Sequence, residues 1–259
     1  MVRKFIVGLK HPSSAYQRLE YYIGTLKSKR HMKRIHEYDG LVMAEKEAIM
    51  RLSGSDSETV DLAFADFSNM TLSNDINQSL DFGYDLLPRG ISAAGDIAVA
   101  ERRILYVICK VTKPMTVLET GVANGVSSTF ILKALTDNKM GLLHSVELPS
   151  VALKTIFHKE SGWIIPNELR SNWRLNLGRS SKILPRILPK LGGIDMFFHD
   201  SNHSYSNMMF EFRTVWPFIN SGGLLTCDDA VGSDALLDFA DSVGRSLIIM
   251  DPRFGAIVK

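Results

Sequence analysis

Cysteine is nearly absent from this sequence of 259 residues: only Cys109 and Cys227 occur, each inside an apolar stretch. Two thiols so placed argue against a disulfide framework and fit buried thiols in a reducing compartment. Also missing is any run approaching the roughly 18 to 20 apolar residues that a membrane-spanning helix requires. The opening MVRKFIVGLKHPSS offers only Phe5 to Leu9 as an apolar core, too short for a secretory signal, and no small-residue cleavage site follows. The expectation is a cytoplasmic protein. Internal repeats and low-complexity tracts are absent as well. Hydrophobic residues at 45% and charged residues at 22% are ordinary for a folded chain, long enough for one large domain or a domain with an appendage.

A charge of one sign is scarce only in the sum. The formal net charge is +2, yet residues 1–36 hold nine Lys or Arg against one acid, Glu20, which leaves −6 on the remainder. A basic arm of this kind can touch nucleic acid, an anionic lipid surface or an acidic partner. The alternative is a solvated helix that packs Tyr16, Leu19, Ile23 and Leu26 on the body. Aromatics and glycines are not interleaved with the basic residues as on RNA-binding surfaces, so no nucleic-acid partner is expected. Weak surface contact through the arm stays open.

What is present changes texture near residue 90. Residues 14–36 and 41–52 have helical periodicity, SGSDSE (53–58) is a polar break, and DLLPRG (85–90) is another. This divides the chain into a helical extension, 1–90, and a main domain, 91–259. A helix from Ala94 to Val111 ends at Lys113-Pro114. Short β-rich runs then alternate with helical stretches: strands at 116–120, 142–148, 173–177, 194–200, 222–229, 246–250 and 254–258, and helices at 127–135, 205–217 and 234–242. Such alternation predicts an α/β fold, a doubly wound, mostly parallel seven-stranded sheet with helices on both faces. The last two runs, joined by Asp251-Pro252-Arg253, suggest an antiparallel edge strand.

In sheets of this kind ligands bind beyond the carboxyl ends of the strands. The polar residues found there are Glu119, Glu147, Ser180, Asp200 and the pair Asp228–Asp229, and they are expected to converge on one cleft. After Glu119 comes TGVANGVS. Gly121 and Gly125, with Ala123 between them, allow the backbone to approach a ligand, and the following helix offers free N–H groups to an anion. The spacing is G-x-x-x-G rather than the G-x-G-x-x-G of dinucleotide sites. Glu147 ends the next strand, where a carboxylate accepts both hydroxyls of a ribose. These features alone do not separate a nicotinamide site from another nucleoside site.

The later segments do. HDSNHSY (199–205), WPFINSGGLLTCDD (216–229) and the helix after them resemble the class I methyltransferases that use S-adenosylmethionine (SAM). The likeness is to the small-molecule O-methyltransferase branch, of the macrocin and catechol types, and it covers residues 85–259. On that resemblance KPMTVLETGVANGVSS is the first SAM motif. Glu119, Gly121, Ala123 and Gly125 then line the cofactor, Ser127 meets its carboxylate, Glu147 is the ribose acid, and Gly178 and Ser180 lie on the adenine side. Ser92 is carried over as a further cofactor contact, and Asp200 lies at the same site. Arg179 stands where relatives usually have an acid.

The same resemblance implies a divalent cation, Mg²⁺ or another, held by Asp200, Asp228 and Asp229. Physical chemistry agrees: hard cations take carboxylate oxygens, and three aspartates at one sheet edge otherwise repel one another. Without a cation, Asp229 would cap the next helix and Asp228 would bind a backbone amide. Methyl transfer from a sulfonium is an in-line displacement that needs an oriented, deprotonated nucleophile. His203, with Asp200 beside it, is the candidate base; capping the next helix or orienting Asp200 are its other readings. His199 is expected to pack or hydrogen-bond inside. Asn202 stands where some relatives carry a second acid.

Recognition of the acceptor is least legible. SGWIIPNELRSNW (161–173) occupies a lid position, where Trp163 and Trp173 either stack on a substrate or pack the lid, and Arg170 can pair with an anion. The first ninety residues, with Pro88 and Gly90, and the adjoining Ser92 would cover the cofactor or make a homodimer contact. The function expected is methyl transfer to a hydroxyl of a small molecule such as a sugar, glycolipid precursor or natural product. A metal-independent N-methyltransferase, a nicotinamide dehydrogenase and a non-catalytic SAM-fold or nucleotide-binding module are the rivals.

Overall fold

The computed structural model describes residues 33–85, 97–149, 158–251 and 254–259. The basic arm before Lys33, Pro88, Gly90, Ser92, Pro252 and Arg253 lie outside the described residues.

The helical region runs through α1 (Ile35–Tyr38), α2 (Glu45–Ser53), α3 (Ser57–Asn69) and α4 (Leu72–Asp85) to α5 (Val99–Thr112). The polar SGSDSE stretch breaks α2 from α3 as expected. Gly54 takes the left-handed conformation that closes α2, and the Asp56 carboxylate caps α3 by accepting from the Thr59 N–H. Ile49, Val60 and Phe67 belong to one buried cluster with Ile104, Tyr106 and Phe130, and the Phe67 ring stands 5.7 Å from that of Phe130.

The sheet then follows: β1 (Thr116–Thr120), α6 (Val126–Asn138), β2 (Leu142–Glu147), β3 (Trp173–Leu177), α7 (Ser180–Leu191), β4 (Ile194–His199), α8 (Tyr205–Val215), β5 (Ile219–Cys227), α9 (Ala235–Ser242), β6 (Leu247–Asp251) and β7 (Phe254–Val258). Its seven strands run in the order β3-β2-β1-β4-β5-β7-β6. The first five are mutually parallel, and β7 is antiparallel to both neighbours. The antiparallel strand is therefore inserted inside the sheet, and β6 forms the edge; the hairpin-like pairing expected at the end is real, but its outer member is the earlier strand. Strands buried on both faces, such as Val117-Leu118 and Phe197-Phe198, explain the continuous apolar runs. One face carries the cluster of Ile104, Phe130 and Met196, and the other packs Leu184, Met208, Phe212 and Phe239.

Helix α7 has no counterpart in the sequence reading. Pro185 and Pro189 lie inside it, and interior proline ordinarily costs a helix about 3 kcal/mol. Ile183, Leu184, Ile187, Leu188 and Leu191 nevertheless repeat at helical spacing and pack into the second cluster. That burial outweighs the prolines.

Strand register sets the site. Thr120 is opposite Val146 in β2 and His199 in β4, and His199 is opposite Cys227 in β5. The next residue in each case is Gly121, Glu147, Asp200 or Asp228, so these four form a row at the carboxyl edge. The chain leaves β1 for β2 and β3 on one side and returns to β4 on the other, which opens the sheet between β1 and β4. At the far edge Val42 bridges Ile249 of β6, the Met43 N–H donating to the Ile249 carbonyl at 2.8 Å.

Candidate functional site

A cavity of about 310 Å³ opens over this row, lined at one end by Glu147, Leu148, Gly178 and Ser180 and at the other by Asp200 and Asn202. Its floor is the loop after β1. Gly121 has φ +87°, and a Cβ there would stand 2.0 Å from the Asp200 carbonyl oxygen. Only glycine allows β1 and β4 to approach so closely at their ends. Ala123 is also held in the left-handed region, at φ +47°.

Glu147 is nearly buried at the cavity wall, and its carboxylate accepts from the Val122 N–H at 2.8 Å. Burial pushes its pKa up to about 7, a rise that the Val122 and Ala123 amides moderate and the charge of Glu119 reinforces. Of the expected cofactor residues, Gly121, Ala123, Glu147, Gly178, Ser180 and Asp200 line the cavity.

Glu119, Gly125 and Ser127 are placed differently. Glu119 is fully buried and accepts from Ser127 Oγ at 2.6 Å, Ser128 Oγ at 2.6 Å and Ser145 Oγ at 2.7 Å. Burial raises its pKa and the three hydroxyls oppose the rise. Ser127 is thus committed to Glu119, and the pair braces the glycine loop from beneath instead of lining the cavity. Gly125 faces the Gly162 Cα, at 2.7 Å from where its Cβ would be. Ser145 extends the brace by accepting from Trp173 Nε1 at 2.9 Å, and Trp163 Nε1 donates to Asn124 Oδ1 at 2.8 Å. Arg170 donates to the carbonyls of Ile165 and Gly162. The segment expected as a lid is therefore stitched to the glycine loop after β1, and both tryptophans make packing contacts.

At the other end, ligand atoms of Asp200, His203 and Asp228 all lie within 4.8 Å of one another. Asp229 is not in this group. It turns outward at φ +48°, half-exposed, and meets the other side of His203, whose Nδ1 is 3.7 Å from its carboxylate; His203 Nε2 is 3.6 Å from Asp200. The expected trio of Asp200, Asp228 and Asp229 is brought together in part: Asp200 and Asp228 share this group, and the His203 imidazole takes the third place in it. Burial, together with the charges of Glu119 and Glu101, drives the Asp200 pKa well above its ordinary value. Asp228 rises for the same reasons, burial first and the charge of Asp200 next.

The sequence offered no signal for Glu101. It sits in the first turn of α5, 1% exposed, where it accepts from the Ala98 N–H at 2.6 Å and also hydrogen-bonds Asp228. An acid in the first helical turn reads as a cap, and only the tertiary fold brings it to the cleft. His199 is buried as expected, its Nδ1 2.7 Å from Glu211. Both cysteines are buried and free. No helix among the described residues is long and apolar enough to cross a membrane.

Comparison with known proteins accords with this geometry. Residues 118–230 match the family described as a methyltransferase domain. No curated protein matches the chain. Among solved structures, an O-methyltransferase from Bacillus cereus in complex with S-adenosylhomocysteine (SAH) superposes with a TM-score of 0.55 at 15% identity, over 72% of this chain and 91% of that one. An SAH-bound methyltransferase of Podospora anserina superposes with a TM-score of 0.53 at 14% identity, over 71% and 87%. At these identities the likeness is one of fold.

Proposed function

We propose that this chain, whose residues 118–230 match a methyltransferase domain, is a class I SAM-dependent methyltransferase that transfers the methyl group to a hydroxyl of a small molecule with the help of a divalent cation. One observation carries this reading. Asp200 both lines the nucleoside-sized cavity and belongs to the carboxylate–imidazole group, so the two ends of the cleft meet at one residue.

The cavity fits the cofactor. The cradle over Gly121 is one that a Cβ would fill, and Glu147 stands at the strand end suited to a ribose. Bound there, SAM supplies an activated methyl on a sulfonium. Glu147 accepts the ribose hydroxyls, and Gly178 and Ser180 face the base. The donor set of Asp200, Asp228 and His203, two carboxylates and an imidazole, suits a divalent cation such as Mg²⁺ or Mn²⁺. A cation there would acidify and orient an acceptor hydroxyl. His203, 21% exposed and flanked by Asp200 and Asp229, is the group placed to take the acceptor proton. One imidazole cannot be ligand and base at once. If it is the ligand, cation binding removes the His203 ionisation from the pH profile; if it is the base, the ionisation persists.

The acceptor class stays the one expected from the sequence, a hydroxylated sugar, glycolipid precursor or natural product, in a cytoplasmic setting. The test is thermal unfolding with SAH, with NAD and with neither, repeated with Mg²⁺ and EDTA. A ligand at a hundred times its dissociation constant adds about 2.7 kcal/mol. Stabilisation by SAH alone supports the reading, and stabilisation by NAD alone overturns it. A cation effect that EDTA abolishes separates the O-methyl reading from a metal-independent N-methyl one.

A further inference from the structure

Helix α8 carries a carboxylate that none of the roles above uses. Glu211 is fully buried, i+4 from Asn207 on the inward face of the helix. Its Oε2 accepts from Thr120 Oγ1 at 2.6 Å and contacts His199 Nδ1 at 2.7 Å. Its Oε1 accepts from Ser201 Oγ at 2.8 Å and from Asn207 Nδ2 at 3.1 Å. His199 and Ser201 are the two chain neighbours of Asp200. Thr120 is the residue whose carbonyl accepts the Asp200 N–H, at 2.8 Å. Both chain neighbours of Asp200, and the residue that accepts its N–H, are therefore tied to one carboxylate.

We propose that Glu211 is the positioning residue of this site, a single buried side chain that fixes Asp200 between the cofactor cavity and the carboxylate–imidazole group. The inference rests on the reading of the cavity as an adenosyl site. A buried charge is tolerated only where its hydrogen bonds are complete, and four donors on two oxygens meet that demand. With Glu211 as acceptor, His199 must carry its proton on Nδ1. His199 Nε2 is then an acceptor, and it is buried without a hydrogen-bond partner. Ser201 and Asn207, on the other oxygen, both line the cavity. Loss of the carboxylate would loosen the cavity floor and the Asp200 side chain together.

Two readouts test this on the full-length protein. In ¹⁵N-histidine spectra, with His199 assigned by loss of its signals in His199→Asn, the wild type should show the Nδ1–H tautomer. Glu211→Gln should lose that preference and bind SAH at least tenfold more weakly by calorimetry, while Glu211→Asp should recover part of both. An Nε2–H tautomer in the wild type overturns the proposal, as does a folded Glu211→Gln that binds SAH as well as wild type. If Glu211→Gln does not fold, Thr120→Val decides: a several-fold weaker affinity for SAH supports the proposal, and unchanged affinity overturns it. A wild type that binds no SAH fails the cofactor reading instead, and the tautomer still reports on Glu211.

Discussion

The Val122 N–H donates to the Glu147 carboxylate across 2.8 Å, so the acid expected to hold a ribose also pins the loop that would carry the rest of the cofactor. Burial sets its pKa near 7, well above the ordinary value of 4.5. The consequence for pH has two opposite signs. A carboxyl whose folded pKa is raised contributes stability below its unfolded pKa and loses it as pH rises through the folded value. The apo protein should therefore lose stability between about pH 4.5 and 7, by at most about 3 kcal/mol. Affinity for SAH should move the other way, rising as pH passes 7 and the ribose acceptor ionises. Calorimetric titrations at pH 5.5 and 8 check both, and Glu147→Gln should flatten the two profiles.

Gly121→Ala should be among the most damaging single substitutions. An alanine in the left-handed region costs roughly 1–2 kcal/mol, and its methyl would lie 2.0 Å from a backbone carbonyl that cannot rotate away. A fall of several degrees in Tm and loss of SAH binding are expected. An alanine variant with wild-type Tm would mean that β1 and β4 do not meet as described.

Asp228→Asn should separate the two ends of the cleft. Removing one carboxylate from the group with Asp200 and His203 should weaken Mn²⁺ binding, read by electron paramagnetic resonance, at least tenfold. SAH affinity should change less than twofold, because Asp228 does not line the cavity. Unaltered Mn²⁺ binding would remove Asp228 from the ligands.

Much of this arrangement was readable along the chain because it is local. Strand ends announce themselves as apolar runs closing on a polar residue, and parallel register then places Glu147, Gly121, Asp200 and Asp228 in one row. Direction within a turn is less readable: Asp228 and Asp229 are adjacent, yet one enters the cleft and the other faces outward. Residues contributed by helices were invisible for a further reason. Glu101 looks like a capping acid and Glu211 like one acid in an amphipathic helix, and only packing gives them partners. Glu119 and Ser127 show the converse, since both occupy expected positions but turn toward each other. The prolines of α7 hid a helix whose apolar stripe was present all along.

The bridge between Val42 and Ile249 has a practical consequence for fragments of this chain. Leu247 to Asp251 form the outermost strand and are apolar except for Asp251, with no lysine or proline to discourage pairing. Among the described residues, the short stretch around Val42 and Met43, donated from far upstream, pairs with that rim. A version trimmed to start at α2 would keep every cleft residue described above and yet bare a sticky ribbon. Its expected failing is not lost chemistry but self-association through strand addition, which light scattering of the trimmed and full chains would check.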